Sequence, residues 1–421
     1  MNRCRFCESP LSRTVVDLGT SPLCETFPTA EACEVAEPHY PLHLQVCEQC
    51  WLVQLPAYVP AKEIFAEYAY FSAYSDAWVE HARTYAHRMA RELELGADSM
   101  VLEVASNDGY LLQWFVERGV PVLGVEPAAN VAEAARERGV DTEVAFFDAA
   151  FGERLATEGR RADLIVANNV LAQVPDLNGF VAGFAPALAP DGVLTIEVPH
   201  LQRLIEGNQF DTIYHEHFTY FSLLALEAVL RAHGLHVYDV EELWTHGGSL
   251  RVFTQRADTG PRTSTPAVAA LVTRERALGY DRADAYADFG AQVRRTKRRL
   301  LSYLIAAHEA GHRVVGYGAP GKSATLLNYC GIGPDLLEFT VDRNPYKHGR
   351  FTPGSRIPIH PVERLFGARP DVVLILPWNL ADEIAAQLEP VRAWGGRLVV
   401  PIPEVTELTA PAGMRTPAGA R

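Results

Sequence analysis

The densest run of reactive side chains in this 421-residue chain is Tyr214-His215-Glu216-His217-Phe218-Thr219-Tyr220. Two imidazoles, a carboxylate and two phenols lie within reach of one another there. An imidazole titrating near ~6.5 can take a proton from a carbon next to a carbonyl. A neighbouring tyrosine or glutamate can then orient the ring or hydrogen-bond the enolate oxygen. The competing reading is a buried polar turn whose groups satisfy one another. A zinc-protease site does not fit, because a single residue separates the histidines where HExxH spacing is needed.

A second reactive set is the cysteines. Six of the seven (Cys4, Cys7, Cys24, Cys33, Cys47, Cys50) fall in the first fifty residues, with Cys330 alone far away. Cys4/Cys7 and Cys47/Cys50 are CxxC pairs, the spacing of two knuckles closing a tetrahedron around one zinc ion. Four thiolates leave no open position, so the expected zinc is structural and staples a segment too small to build its own core. Disulfides or a redox CxxC are the alternatives. Cys24 and Cys33 read as small buried residues.

These groups need a scaffold, and one stretch organises it. Val101-Leu-Glu103-Val-Ala-Ser106-Asn107-Asp108-Gly109-Tyr-Leu-Leu112 is an apolar strand, a tight turn and the start of an apolar helical pattern. Such a turn brings backbone N–H groups up to a ligand. The next strand, Pro121 to Glu126, ends in an acid about twenty residues on, placed to accept hydrogen bonds from a ribose diol. The turn lacks GxGxxG spacing, so a nucleoside without phosphates, as in S-adenosyl-L-methionine (SAM), suits it better than a dinucleotide. A buried strand–turn–helix with no ligand is the bland alternative. Glu103, Ser106, Asn107, Asp108, Gly109, Glu126 and Pro127 are the candidate cofactor contacts. Asp163–Asn169 adds another strand running into a polar loop, with Asn168 and Asn169 as further contacts, and Gly192–Glu197 a fourth. In a doubly wound sheet the loops after Ala105, Val125, Ala167 and Ile196 face one crevice.

Four regions are expected. Residues 1–60 form the zinc-binding unit, and 61–255 the SAM-binding domain, preceded by an aromatic and helical segment. Residues 256–300 form a helical linker, and 301–410 a second Rossmann-like α/β domain. The aromatic stretch 65–75, with Tyr68, is either packing between domains or a tyrosine-lined lid. The tail after Thr409 is rich in Ala, Pro and Gly and is expected to be disordered. An apolar share of 48% with 21% charged residues is that of an ordinary globular protein. Net charge of −14 argues against nucleic-acid and anionic-membrane partners. No apolar run reaches the roughly 20 residues of a membrane helix, and the first residues lack the apolar core of a secretion signal. The expected location is the cytoplasm.

Gly316-Tyr317-Gly-Ala-Pro320-Gly321-Lys322-Ser323 satisfies the P-loop expression GxxxxGK[ST]. An NTPase reading is set aside, because the strand ending at Leu376 supplies no acid to hold magnesium and Pro320 removes an N–H from the loop. The loop and Lys322 are still expected to be able to hold a diphosphate.

Five motifs in register resemble one family: the CxxC…CxxC head, Glu103–Gly109, Tyr214–His217, His246-Gly-Gly-Ser-Leu-Arg251 and Gly316–Lys322. The chain, over about residues 3–405, is similar to SAM-dependent C-methyltransferases that modify nucleotide-linked 4-keto-deoxysugars for antibiotic and related pathways. The resemblance implies a zinc-binding head, a class I SAM methyltransferase middle and a Rossmann-like C-terminal domain without SAM. It also implies a nucleotide-sugar substrate, expected to be dTDP-linked, held between the last two domains. By resemblance His217 is the base that removes the C-3 proton, with Tyr214, Glu216 and Tyr68 beside it. Gln173, His200, His246, Arg251, Tyr317 and Lys322 are the implied substrate contacts. The enolate then attacks the sulfonium methyl, and no catalytic metal is needed.

Two positions depart from the family. Members often carry a histidine where this chain has Gln173, and an amide cannot shuttle protons at neutral pH, though it can orient a hydroxyl or an amine. The family's Gly-Ala-Pro-Ala-Lys-Gly is Gly-Ala-Pro-Gly-Lys-Ser here, which creates the P-loop likeness. A SAM-dependent enzyme methylating a non-sugar or heteroatom acceptor is the alternative within this scaffold. A non-enzymatic binding module is the other, and it gives the grouped titratable residues at 214–217 no purpose.

Overall fold

The structure is a computed structural model that describes residues 2–60 and 76–409, without the side chains of 76 and 77. The stretch 65–75 with Tyr68, and the tail 410–421, lie outside the described residues. The chain divides into two compact units. The first comprises Met1–Asp17, His43–Glu206 and His215–Asp288, the second Leu18–Leu42, Gly207–Tyr214 and Phe289–Arg421.

Val101–Val104 and Ala162–Asn168 read as near-continuous apolar runs because both faces of their sheet are covered. On one side Tyr85, Ala86 and Met89 of the helix Asp76–Glu92 pack with Leu111 and Phe115. Another cluster holds Phe147, Phe151, Phe180 and Phe184 against Ile165, Leu194 and Ile196. The seven strands stand in the order Leu235–Leu243, Ser249–Arg256, Leu188–Pro199, Ala162–Asn168, Val101–Val104, Val122–Val125, Thr142–Glu143. The last five of these are parallel to one another, while Ser249–Arg256 runs antiparallel to both its neighbours. From Val101–Val104 the chain builds first to one side and then crosses to the other. The topological switch point therefore lies between Val101–Val104 and Ala162–Asn168, where open α/β sheets bind ligands. This order, with the antiparallel strand inserted beside the last, is the class I SAM methyltransferase topology.

The head is short strands and knuckles. Within the first unit Val53–Gln54 pairs on one side with Gln45–Val46, and on the other with Thr219–Tyr220, just after the His-Glu-His run. The second unit has its own six-stranded sheet, ordered Ile359–His360, Thr340–Val341, Val314–Tyr317, Val372–Ile375, Arg397–Val400, Thr406–Glu407. The first five strands are parallel. The 21-residue helix Phe289–Glu309 buries Phe289, Val293, Leu300 and Leu304 in this unit.

Candidate active site

The turn after Val101–Val104 is tightly wound: Ala105 and Asn107 have φ of 56° and 50°, and Gly109 has 76°. Gly109 is required twice over, since a Cβ there would also lie 2.9 Å from Val140 Cγ2. Glu126 shapes the turn from the next strand. Its carboxylate accepts from the Asn107 N–H (3.1 Å) and the Ala128 N–H (2.9 Å). Asp108 is buried and paired with Arg138 at 2.9 Å. Glu103 is 1% exposed, and burial, with Asp108 and Glu126 close by, pushes its pKa well above the usual carboxylate range. Among the described residues no hydrogen-bond partner meets Glu103 Oε2, Ser106 Oγ, Asn168 Oδ1 or either amide atom of Asn169. Orphaned buried donors and acceptors at a switch point mark where a polar ligand completes the structure.

Beside this turn lies an aromatic wall. The helix Asp76–Glu92 carries Trp78, His81 and Tyr85 on one face, and the Trp78 indole stacks on His81 (5.1 Å) and Tyr110 (6.0 Å) and meets His246 at 5.2 Å. Behind it sits Glu197, at the carboxyl end of Leu188–Pro199 with no side-chain exposure. Glu197 accepts from His81 Nε2 (3.1 Å), Arg251 (2.9 Å) and Thr245 Oγ1 (2.8 Å). Arg251 is also laid over the Tyr85 ring at 4.5 Å. His246, in the left-handed region at φ 53°, belongs to the turn that Thr245 pins to Glu197.

The reactive run follows a backbone crossing. Phe218 N–H donates to Ala172 O at 2.7 Å and Phe218 O accepts from Leu55 N–H at 2.9 Å. The first bond brings His217 alongside Gln173, in the loop that follows Asn168 and Asn169. His215 and Glu216 are buried, whereas His217 and Tyr214 are half-buried. The His217 ring meets Tyr220 edge-on at 6.3 Å. Tyr214 closes a segment of the second unit and His215 opens one of the first.

Other expected contacts have partners of their own. His200 is 1% exposed and bonded through Nε2 to Glu275 at 2.9 Å, and Glu275 in turn accepts from the Leu223 and Leu224 N–H groups. Tyr317 and Lys322 belong to the second unit. Tyr317 donates to Gln387 at 3.1 Å. Lys322 donates to Asn379, and its ammonium lies 4.2 Å from the Trp378 ring centroid. Burial lowers its pKa to about 8 against the opposing charge of Asp211. Asp211, whose pKa burial raises to about 6, accepts from Trp378 Nε1 at 2.7 Å.

The glycines of the P-loop likeness are used by packing. A Cβ on Gly316 would lie 2.6 Å from Thr340 Oγ1, one on Gly318 2.6 Å from Pro377 Cδ, and one on Gly321 2.5 Å from Glu25 Oε1. Gly316 sits inside a strand rather than in a loop, and a carboxylate lies beside Gly321 at the start of the helix. Each glycine is explained by a protein neighbour, with no need of a phosphate.

In the head, Cys4 and Cys50 sulfurs lie 3.5 Å apart, as do those of Cys7 and Cys47, and all four fall within 4.8 Å of one another. Tetrahedral Zn–S bonds of about 2.3 Å separate sulfurs by about 3.8 Å, so the donor set and its size both fit zinc. A disulfide would need about 2.05 Å.

Comparison with known proteins gives the same picture. Family models match along the chain: "Putative zinc binding domain" over residues 4–65, "Methyltransferase domain" over 78–240, and "C-methyltransferase C-terminal domain" over 244–403. C-methyltransferase NovU of Streptomyces niveus is 36% identical over 410 residues, covering 97% of each chain. The chain belongs to the C-methyltransferase family. A ubiquinone biosynthesis O-methyltransferase of Bartonella bacilliformis is 27% identical over 97 residues, 23% of this chain and 39% of that protein. Among solved structures, Burkholderia thailandensis 1,6-didemethyltoxoflavin-N1-methyltransferase aligns at 20% identity and a TM-score of 0.35, over 53% of this chain and 100% of that one.

This C-methyltransferase takes SAM as methyl donor and holds zinc at Cys4, Cys7, Cys47 and Cys50. Among the described residues no helix is long and apolar enough to cross a membrane. Trp78 and His81 escaped sequence reasoning as members of the aromatic wall. Trp78 and Tyr85 fit an amphipathic core stripe, and nothing in the spacing sets His81 apart from it.

Proposed function

We propose that this C-methyltransferase methylates a carbon next to the ketone of a nucleoside-diphosphate 4-keto-deoxysugar, at C-3 of a dTDP-linked sugar, with His217 as the base. Carbon, unlike oxygen or nitrogen, has no lone pair to offer and must first lose a proton. The observation that carries the reading is the Phe218–Ala172 backbone bond, which ties the backbone next to a half-buried histidine to the loop leaving the switch point. His217 takes the proton onto a ring nitrogen. Glu216 and Tyr214, with Tyr68, orient the ring and hydrogen-bond the enolate oxygen. SAM supplies an electrophilic methyl group whose sulfonium leaves as a neutral thioether. Glu126 receives the ribose hydroxyls, while Glu103, Asn168 and Asn169 offer their unpaired atoms to the remaining polar groups. Gln173 presents an amide to the sugar's neighbouring substituent, so the reading favours a substituent needing orientation over one needing proton transfer. His246 and Arg251 serve the substrate through the wall they build, and Tyr317 and Lys322 through the diphosphate. The family resemblance supports a deoxysugar pathway of antibiotic type, and a thiolate-bound zinc is consistent with a reducing cytoplasm.

The test is His217→Asn. Methyl transfer to a dTDP-4-keto-6-deoxyhexose is expected to fall by at least about 10²-fold, with S-adenosylhomocysteine (SAH) binding unchanged. Near wild-type transfer by the variant would reject His217 as the base.

A further inference from the structure

We propose that Arg5, inside the first zinc knuckle, is a positioning residue that locks the segment carrying His217 and the loop carrying Gln173 to the metal centre. The inference rests on the base assignment above for its catalytic consequence, but not for its geometry. Arg5 lies between Cys4 and Cys7, where a charged side chain would ordinarily point to water. Instead its guanidinium is turned inward and spans three elements. Nη1 donates to Pro175 O at 2.7 Å, Nη2 donates to Leu55 O, and the guanidinium carbon lies 5.3 Å from the Phe218 ring centroid. Pro175 ends the Gln173 loop, and Phe218 directly follows His217.

Backbone contacts reinforce the same junction. Arg5 N–H donates to Gln54 Oε1 at 2.9 Å, and Gln54 Nε2 lies 3.2 Å from Cys4 Sγ. Gln54 in turn pairs with Thr219 in the sheet. From below, Asn178 Nδ2 donates to Phe6 O at 2.9 Å, holding the knuckle against the helix that follows the loop. One planar fork thus fixes the heights of Leu55, Pro175 and Phe218 relative to two zinc ligands. A lysine, with a single ammonium, cannot donate along two fixed directions while lying flat on a ring. The zinc head therefore does more than hold its own sixty residues: it sets where the imidazole stands.

The experiment uses full-length Arg5→Met and Arg5→Lys with two readouts. The first is amide hydrogen exchange of peptides spanning 171–175 and 214–222, alongside zinc content and SAH affinity. Faster exchange in both peptides, with about one zinc per chain and unchanged SAH affinity, is expected. The second is deuterium incorporation next to the ketone of a dTDP-4-keto-6-deoxyhexose in D2O, with SAH in place of SAM. There the base removes the carbon-bound proton and returns a deuteron without methyl transfer. A fall on the order of 10²-fold is expected for Arg5→Met and a smaller one for Arg5→Lys, seen in the rate rather than in KM. Unchanged amide exchange, or faster exchange with wild-type deuterium incorporation, would overturn the proposal. If the wild-type enzyme itself incorporates no deuterium, the sugar reading fails and the amide-exchange arm alone decides whether Arg5 holds the segment. Should Arg5→Met lose zinc and fail to fold, Phe218→Leu removes the ring under the guanidinium and must give the same pair of changes.

Discussion

Glu197→Gln swaps one oxygen for an amide nitrogen at the end of Leu188–Pro199, almost without change of shape. The carboxylate it removes has no side-chain exposure. Burial, the largest influence, pushes the Glu197 pKa up. Hydrogen bonds from His81 and Thr245 and the charges of Arg251 and His81 outweigh it and bring the value down to about 2, from 4.5. At about 1.4 kcal/mol per pH unit, that fall is worth roughly 3 kcal/mol at neutral pH. An independent route agrees. Removing one partner of a buried ion pair costs about 3–5 kcal/mol; here Arg251, at 4% exposure, would lose its nearer carboxylate and keep Glu241 at 3.7 Å, which puts the cost at the low end of that range. The sign of the pH dependence follows from a carboxylate whose pKa is depressed by folding. Its contribution is fully present above about 4.5 and is lost as pH falls through about 2. Urea unfolding read by tryptophan fluorescence suits the test, because Trp78 is stacked on His81 in this network. The variant should be less stable by about 3 kcal/mol at pH 7 and equally so at pH 5, with the gap closing below 4.5. Both proteins lose zinc alike at low pH, so their difference isolates Glu197. A gap under about 0.5 kcal/mol at pH 7, the size of an ordinary surface change, would refute the reasoning.

Three further outcomes are expected. Glu126→Ala removes the acceptor assigned to the ribose diol, and calorimetry should show SAH affinity falling about 10- to 100-fold; unchanged affinity would move the nucleoside elsewhere. Cys47→Ser should leave well under one zinc per chain by metal analysis and lower the unfolding temperature, and full zinc retention would exclude Cys47 as a ligand. If Lys322 meets the diphosphate, affinity for thymidine diphosphate should decline as pH rises through about 8, where the lysine loses its charge. Lys322→Met should weaken binding at pH 7 and abolish that step; a step that persists would belong to another group.

What was legible in the sequence is what local chemistry dictates. Glu103 to Gly109 and Glu126 could be read because an apolar strand, a turn that needs φ above zero at Gly109 and an acid one strand later all lie between Val101 and Glu126. The CxxC pairs were legible because zinc imposes spacing on each knuckle separately. At Gly316–Ser323 small residues that pack against Thr340, Pro377 and Glu25 also satisfy an expression written for phosphate loops, so the match by itself does not separate packing from phosphate binding. Contacts between distant segments were not legible at all. Arg5 is 213 positions from Phe218, and a charged residue in a knuckle carries no mark saying that it turns inward. Likewise, Glu197 gathers His81 from before the first strand of the seven-stranded sheet and Arg251 from the last in chain order, Ser249–Arg256, and no periodicity links the three. Both cases follow one physical rule: a buried charge must find its partners, and only the folded chain decides which they are. The partners of buried charges, rather than the charges themselves, are therefore what sequence reading missed. At Arg5 and at Glu197 such partners come from segments far apart in the chain, so what holds a buried charge in place is less visible in the sequence than the charge itself.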